Sequence, residues 1–401
     1  MENTEEINFK TQENTSKIPQ SLLSEEEKAK KRHEGFKKFE KAAISEENIK
    51  KANDIMLEQS KLFGALQELV RDDMITDINC NSHAIWVDHI KNGRYEVKDI
   101  KMDNDDLMDL AYRISNINNV QFNTVNPILE AELPALRLQF VHESVAKSGT
   151  SLSLRKTPIT ARINVGSIEK DDYCSPECLN FLHAMIKSKM NSVICGLTGS
   201  GKTELAKFLA GWINNWERII TIEDTLELHL LTIYPEKDIV ELQVNDRVDY
   251  NGAISSCMRM KPTWILLSEA RGYEIKELIK SISTGAKIIT TLHTDDAREI
   301  PKRILNMFED NELSNDKIEN MIYDYIDVGV HIQNQLTEAG AHRYIDQLVV
   351  FYSDEHNNPH KELIYECDGH NIEYRPIPKQ ILKKMKKEGV DNFEWGCPNE
   401  V

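Results

Sequence analysis

Gly196-Leu197-Thr198-Gly199-Ser200-Gly201-Lys202-Thr203 is the stretch on which the fold of this 401-residue chain turns. It satisfies G-x-x-x-x-G-K-[S/T], the spacing of a phosphate-binding loop, with one further glycine inside it. A triphosphate must be met by several backbone N–H groups at once. Glycines supply the backbone angles and the close approach that this requires. The preceding Val193-Ile194-Cys195 is apolar and strand-like, and 204–212 reads as a helix whose positive N-terminal end adds to the anion site. The expected nucleotide-binding set is Gly196, Thr198, Gly199, Ser200, Gly201, Lys202 and Thr203. Lys202 reaches the β- and γ-phosphates, and the Thr203 hydroxyl is available to Mg2+.

Working outward, short apolar runs at 192–195, 218–222, 239–244, 264–267 and 287–292 alternate with helical patterns. That alternation predicts an α/β fold with a largely parallel, doubly wound sheet. Such sheets bind ligands at the carboxyl ends of their strands. Three polar tips stand there: Glu223-Asp224 after the second run, Ser268-Glu269 after the fourth, and His293 after the fifth. A carboxylate at one strand end is ordinarily just solvated. Three polar tips beside one phosphate loop are a site.

Upstream, 62–158 mixes helical and strand patterns, which predicts a smaller α+β domain. Asn92-Gly93 supplies a hairpin turn between strands at 85–87 and 95–97. An amphipathic helix is expected over 105–114, and alternating strands over 136–140 and 152–155. The resulting division is a polar, charged extension over 1–58, an α+β domain over 59–157, a linker over 158–177, the nucleotide-binding domain over 178–335, and a hairpin and tail over 336–401. The basic run from Lys28 to Lys38 reads as a solvated or partly disordered helix, with a tether to an acidic partner or membrane surface as the alternative.

A net charge of −17 opposes sequence-independent nucleic-acid binding, which relies on basic surfaces displacing counterions. Direct nucleic-acid contact is therefore expected only at a local basic site. Seven scattered cysteines suit a reducing compartment better than a disulfide framework. Cys174 and Cys178 form the only close pair, and Ser175-Pro176 between them reads as a helix start. No run approaches the length needed to cross a bilayer, and the N-terminus lacks the basic start and apolar centre of a signal peptide. The expected location is the cytoplasm, with any membrane contact peripheral.

These motifs resemble those of the type II and type IV secretion ATPases, the motors of conjugation, pilus assembly and pilus-like archaeal filaments, over roughly residues 62 to 333. Thr221-Ile222-Glu223-Asp224-Thr225-Leu226-Glu227-Leu228 is similar to the family's acidic box. Residues 258–274, with Glu269-Ala270-Arg271, are similar to its Walker B region, and 284–297, with His293, to its histidine box. In the preceding domain, Leu133-Pro134 to Arg137 and Ser151 to Lys156 resemble the segments whose arginines reach the nucleotide. That match fits the conjugation and tight-adherence pilus branch.

The resemblance implies a RecA-like P-loop domain and, position by position, a set of roles. Glu269 polarises the attacking water. Glu223, with Asp224, holds Mg2+ or its waters, and His293 senses the γ-phosphate. Arg137 and Arg155 clamp the terminal phosphates, with Arg259 and Arg271 as further cations. It also implies ATP and Mg2+ as cofactors, a homohexameric ring, and inner-membrane components of a secretion or pilus machine as partners. Two positions depart from the pattern: Ser268 replaces a usual Gly, and Ala286 replaces a frequent first histidine. The rival readings are a nucleic-acid translocase on a similar core and a nucleotide-dependent ring scaffold.

Overall fold

The computed structural model describes residues 25–37, 39, 46–270, 272, 274–283, 285–308, 314–337 and 340–397. Most of the N-terminal extension, together with Arg271 and Thr284, lies outside them.

The first sheet has six strands: β1 (Ile75–Cys80), β2 (Ile85–His89), β3 (Gly93–Val97), β4 (Ile128–Leu133), β5 (Leu136–Val141) and β6 (Ser151–Lys156), in the order β3-β2-β1-β6-β5-β4. Every pairing is antiparallel. Gly93 takes φ 68° at the β2–β3 turn, the left-handed angle that glycine adopts without penalty. On β5 the side chains of Leu136, Leu138 and Phe140 are buried, and on β6 those of Leu152 and Leu154. Period-2 alternation therefore sends Arg137 and Arg155 to the opposite face. The core beneath the sheet is closed by the helix Asn104–Asn118, whose capping box joins Asp103 and Asp106.

The second sheet has nine strands: β7 (Ser192–Cys195), β8 (Ile219–Glu223), β9 (Ile239–Gln243), β10 (Trp264–Leu267), β11 (Lys287–Leu292), β12 (Val328–Thr337), β13 (Gly340–Ser353), β14 (Pro359–Cys367) and β15 (Ile372–Tyr374). Their order is β15-β14-β13-β12-β7-β11-β10-β8-β9. From β9 to β12 all pairings are parallel; from β12 to β15 all are antiparallel. The parallel strands read as unbroken apolar runs because helices cover both faces, giving two cores.

Several expectations change. The hairpin expected within 336–401 forms as β13 and β14, but it extends the main sheet rather than standing apart, and a boundary at 335/336 cuts β12. The span 158–177 is not plain linker: it holds the helix Val165–Lys170. The basic run is also not simply solvated. It lies on the helix Glu25–Lys37, where Phe36 is buried in the core of the second sheet and Arg32 sits 2.6 Å from Asp172. Cys174 and Cys178 are free and buried at the start of the helix Pro176–Lys187, where Ser175 Oγ accepts from Cys178 N. Among the described residues no group of three or more His, Cys, Asp or Glu suits a metal ion, and no helix is long and apolar enough to cross a membrane.

The core beneath the six-stranded sheet shares no residue with the two cores of the nine-stranded sheet. Polar contacts join the two bodies, among them Gln243 Nε2 donating to Glu132 Oε2 at 2.7 Å and the Arg162 guanidinium donating to the Asp73 carbonyl at 3.3 Å.

Candidate active site

A cleft of about 820 Å³ lies between the two bodies. Its floor is the phosphate loop. Gly196 has φ 148°, and a Cβ there would meet the Ile332 carbonyl and Ser200 Oγ, each at 2.6 Å. Gly199 and Gly201 take φ 78° and 96°, which L side chains rarely adopt. Glycine is therefore a steric requirement at the root of the loop and a conformational one at its crest. The helix Lys202–Gly211 starts directly from Gly201 and aims its free N–H groups at the loop.

Lys202 Nζ donates to the carbonyls of Gly196 at 3.0 Å and Leu197 at 3.1 Å, and lies 3.3 Å from His293 Nδ1. Burial pulls its ammonium down to about 8, against the opposing pull of Glu269. The other ring nitrogen of His293, Nε2, is 3.0 Å from Glu269 Oε1. A lysine can only donate, so Nδ1 accepts and Nε2 carries the proton donated to Glu269. Lys202, His293 and Glu269 thus form one hydrogen-bonded chain across three strand tips.

The strand order explains the spacing. β11, which carries His293, lies between β7 and β10. Neighbouring strands are about 4.8 Å apart, so the tip bearing Glu269 stands about 10 Å from the root of the loop, room for a phosphoryl group and a water. Thr291 Oγ1 on β11 donates to the Ser268 carbonyl at 2.6 Å, which ties the two tips together. The serine at 268 therefore leaves this tip held through its backbone.

The acidic box divides its labour differently from expectation. Glu223 does not line the cleft. Its side chain is fully buried, and Oε2 accepts the backbone N–H groups of Glu227 and Leu228 at 2.9 and 3.0 Å. Burial pushes its carboxyl up to about 7. Asp224 and Glu227 line the cleft instead. Glu227 Oε2 accepts from Thr203 Oγ1 at 3.5 Å, a long contact. Burial raises the Glu227 carboxyl, opposed by Arg155, Lys207 and Arg137. The residue that presents its carboxylate to the loop threonine is thus four positions after the one expected.

Arg137 and Arg155 form the opposite wall. They sit directly across from each other on β5 and β6. Like charges in that position repel unless an anion is shared. Arg155 Nε donates to Asp77 Oδ1 at 2.9 Å, which holds one of the two in place. Arg259 ends the helix Tyr250–Met258 and does not line the cleft. Glu204 fastens the loop helix to the chain entering from the first domain: its carboxylate accepts from the Arg162 backbone N–H at 2.8 Å and from Lys207 Nζ at 2.9 Å. Lys207, itself buried, also donates to the Pro158 carbonyl at 2.8 Å.

Residues 62–360 match the sequence family described as type II/IV secretion system protein. The chain belongs to that family. It is an ATPase of the type II/IV secretion family, and membership of that family implies nucleotide binding. An uncharacterized protein of Bacillus anthracis is 29% identical over 307 residues, 74% of this chain and 67% of that protein. The type IV secretion system protein VirB11 of Brucella suis is 28% identical over 282 residues, 62% of this chain and 77% of VirB11. Among solved structures, the pilus retraction motor PilT with bound ADP superposes with a TM-score of 0.54 at 19% identity, covering 74% of this chain and 84% of PilT. That likeness shares the fold.

Proposed function

We propose that this secretion-family ATPase is a ring-forming motor that binds ATP with Mg2+ in the cleft between its RecA-like P-loop domain and its smaller α+β domain. In this reading it works at the cytoplasmic face of the membrane, as a homohexamer, beside inner-membrane components of a conjugation-like or pilus machine. The observation that carries the hydrolytic part is the chain Lys202–His293–Glu269, which ties the phosphate-binding lysine to a carboxylate in one line of hydrogen bonds.

The residues present fit the metal. Thr203 and Glu227 offer hard oxygen donors beside the loop, with Asp224 next to them in the cleft wall. Mg2+ would neutralise charge on the β- and γ-phosphates there. Glu223 keeps the turn that carries Glu227 in register through two backbone N–H groups. Lys202 draws charge from the γ-phosphate. Glu269 orients the attacking water and draws on its proton, with its own orientation fixed by the Nε2–H of His293. As bond formation proceeds, Arg137 and Arg155 meet the negative charge from the other body, which relieves their mutual repulsion. The products are ADP and phosphate, with the water's proton released.

The experiment is phosphate release by the full chain with ATP and Mg2+, beside the Glu269→Gln variant. Turnover by the wild type with near-complete loss in the variant supports the motor reading. Nucleotide-dependent assembly without phosphate release would favour a ring scaffold, and near-normal turnover of Glu269→Gln would remove that residue from its role.

A further inference from the structure

Arg343 lies on β13, within the C-terminal 60 or so residues, where the sequence offers no chemical motif. Its Nε donates to the carbonyl oxygen of Gly199 at 3.0 Å, at the crest of the phosphate loop. The peptide unit that begins with that carbonyl ends with the N–H of Ser200, which donates to the Leu197 carbonyl at 3.2 Å on the inner side of the loop. In a trans peptide the C=O and N–H point in opposite directions, and no peptide bond among the described residues is cis. Arg343 therefore holds the outer end of a peptide whose inner end is a loop donor.

That peptide needs an external hold. Gly199 lies at φ 78° with nothing within 4 Å of where a Cβ would stand, and Gly201, one residue past Ser200, lies at φ 96°. Rotation of that unit changes ψ of Gly199 and φ of Ser200, and glycine leaves the first of these nearly unrestricted, so a turn of the unit would exchange a donor for a carbonyl oxygen facing a polyanion. The nearest heavy atom to a Cβ at Gly201 is Arg343 Cδ at 4.0 Å, so the arginine lies along the crest. Its guanidinium lines the same cleft as Lys202 and Arg162.

We propose that Arg343 is a positioning residue for nucleotide binding, which fixes the Gly199–Ser200 peptide so that the Ser200 N–H faces the triphosphate. A loop donor would then depend on a strand remote in sequence. This rests on the reading of the cleft as an ATP site.

The test is equilibrium binding of a non-hydrolysable ATP analogue with Mg2+ to the full chain, together with steady-state phosphate release. Loss of wild-type binding in Lys202→Ala secures the site first. A wild type that does not bind the analogue overturns the ATP reading and this assignment with it. Arg343→Ala is expected to weaken binding about tenfold, the loss falling on KM more than on kcat, the scale of one charge-assisted hydrogen bond. Arg343→Gln and Arg343→Lys, which can still donate to the Gly199 carbonyl, are expected to recover to within about threefold of wild type. Arg343→Ala binding within about twofold of wild type, with Lys202→Ala inactive, overturns the assignment alone. So does Arg343→Gln binding as weakly as Arg343→Ala. Should Arg343→Ala not fold, Arg343→Gln decides: near-wild-type affinity supports the assignment, and a tenfold loss overturns it.

Discussion

His293 Nε2 lies 3.0 Å from Glu269 Oε1. The histidine touches the carboxylate proposed to orient the attacking water on one side and the lysine of the glycine-rich loop on the other. Replacing His293 with Ala should leave ATP binding within about threefold of wild type while lowering kcat by about 10- to 100-fold, because it removes orientation rather than charge. Binding measured beside phosphate release separates the two. Equal losses in both would make His293 a binding residue instead.

Lys202 supplies a pH dependence. Burial lowers its ammonium to about 8, so the free protein begins to lose this charge as pH rises through that value. Affinity for ATP should be level from pH 6.5 to 7.5 and fall above about 8, approaching tenfold per pH unit. Nucleotide titrations from pH 6.5 to 9.5 test this. Affinity unchanged to pH 9.5 would show that the ammonium is not held low.

Glu223 predicts a pH dependence of stability rather than of binding. Its folded carboxyl is raised from 4.5 to about 7 by burial, so the folded state binds more protons than the unfolded state between those values. Its contribution therefore worsens as pH rises from 4.5 through 7, by about 3 kcal/mol in all. Glu223→Gln should abolish that slope and gain stability relative to wild type at pH 8 compared with pH 5. Glu223→Ala leaves the Glu227 and Leu228 N–H groups without their acceptor and should cost about 1–3 kcal/mol at pH 5, and correspondingly less at pH 8, where the wild type carries the buried charge that alanine lacks. Urea unfolding at the two pH values reads both effects.

Arg137 and Arg155 face each other across two strands, so nucleotide should relieve a repulsion. Arg137→Gln should lower kcat by at least about tenfold while changing the stability of the nucleotide-free protein by less than about 0.5 kcal/mol. Thermal unfolding with and without ATP tests this: a variant that keeps the full nucleotide-induced stabilisation of the wild type would place Arg137 outside the site.

The parallel part of the second sheet was legible because phosphate binding and strand burial leave plain marks: clustered glycines, then apolar runs ending in polar tips. The tips at Glu269 and His293 meet as their positions suggested. Glu223 misled because a carboxylate at a strand end looks the same whether it faces a ligand or caps a turn. Only burial separates the two. Glu227, four residues on in the same box, carries the same chemical signal but follows the strand rather than ending it, so a rule based on strand tips does not select it. Arg343 left no local signal: its meaning comes from β13 pairing beside β12, a contact made about 144 residues from the loop it touches. The helix Glu25–Lys37 reads as solvated because its composition is dominated by charge, while a single buried aromatic, Phe36, and pairs such as Arg32 with Asp172 dock it.

The separation of the apolar cores has a mechanical outcome. A seam made of hydrogen bonds can open with water taking each partner's place, at about 0.5–1.5 kcal/mol per bond, whereas prising apart a shared oily interior would demand far more. Micromolar nucleotide affinity is worth about 8 kcal/mol, ample to latch and unlatch such a seam on every cycle. Gly340 marks a close approach in that seam, since a Cβ there would stand 2.0 Å from the Lys91 carbonyl. A single methyl group at position 340 would therefore act as a wedge, propping the jaws ajar and idling the engine without touching its chemistry.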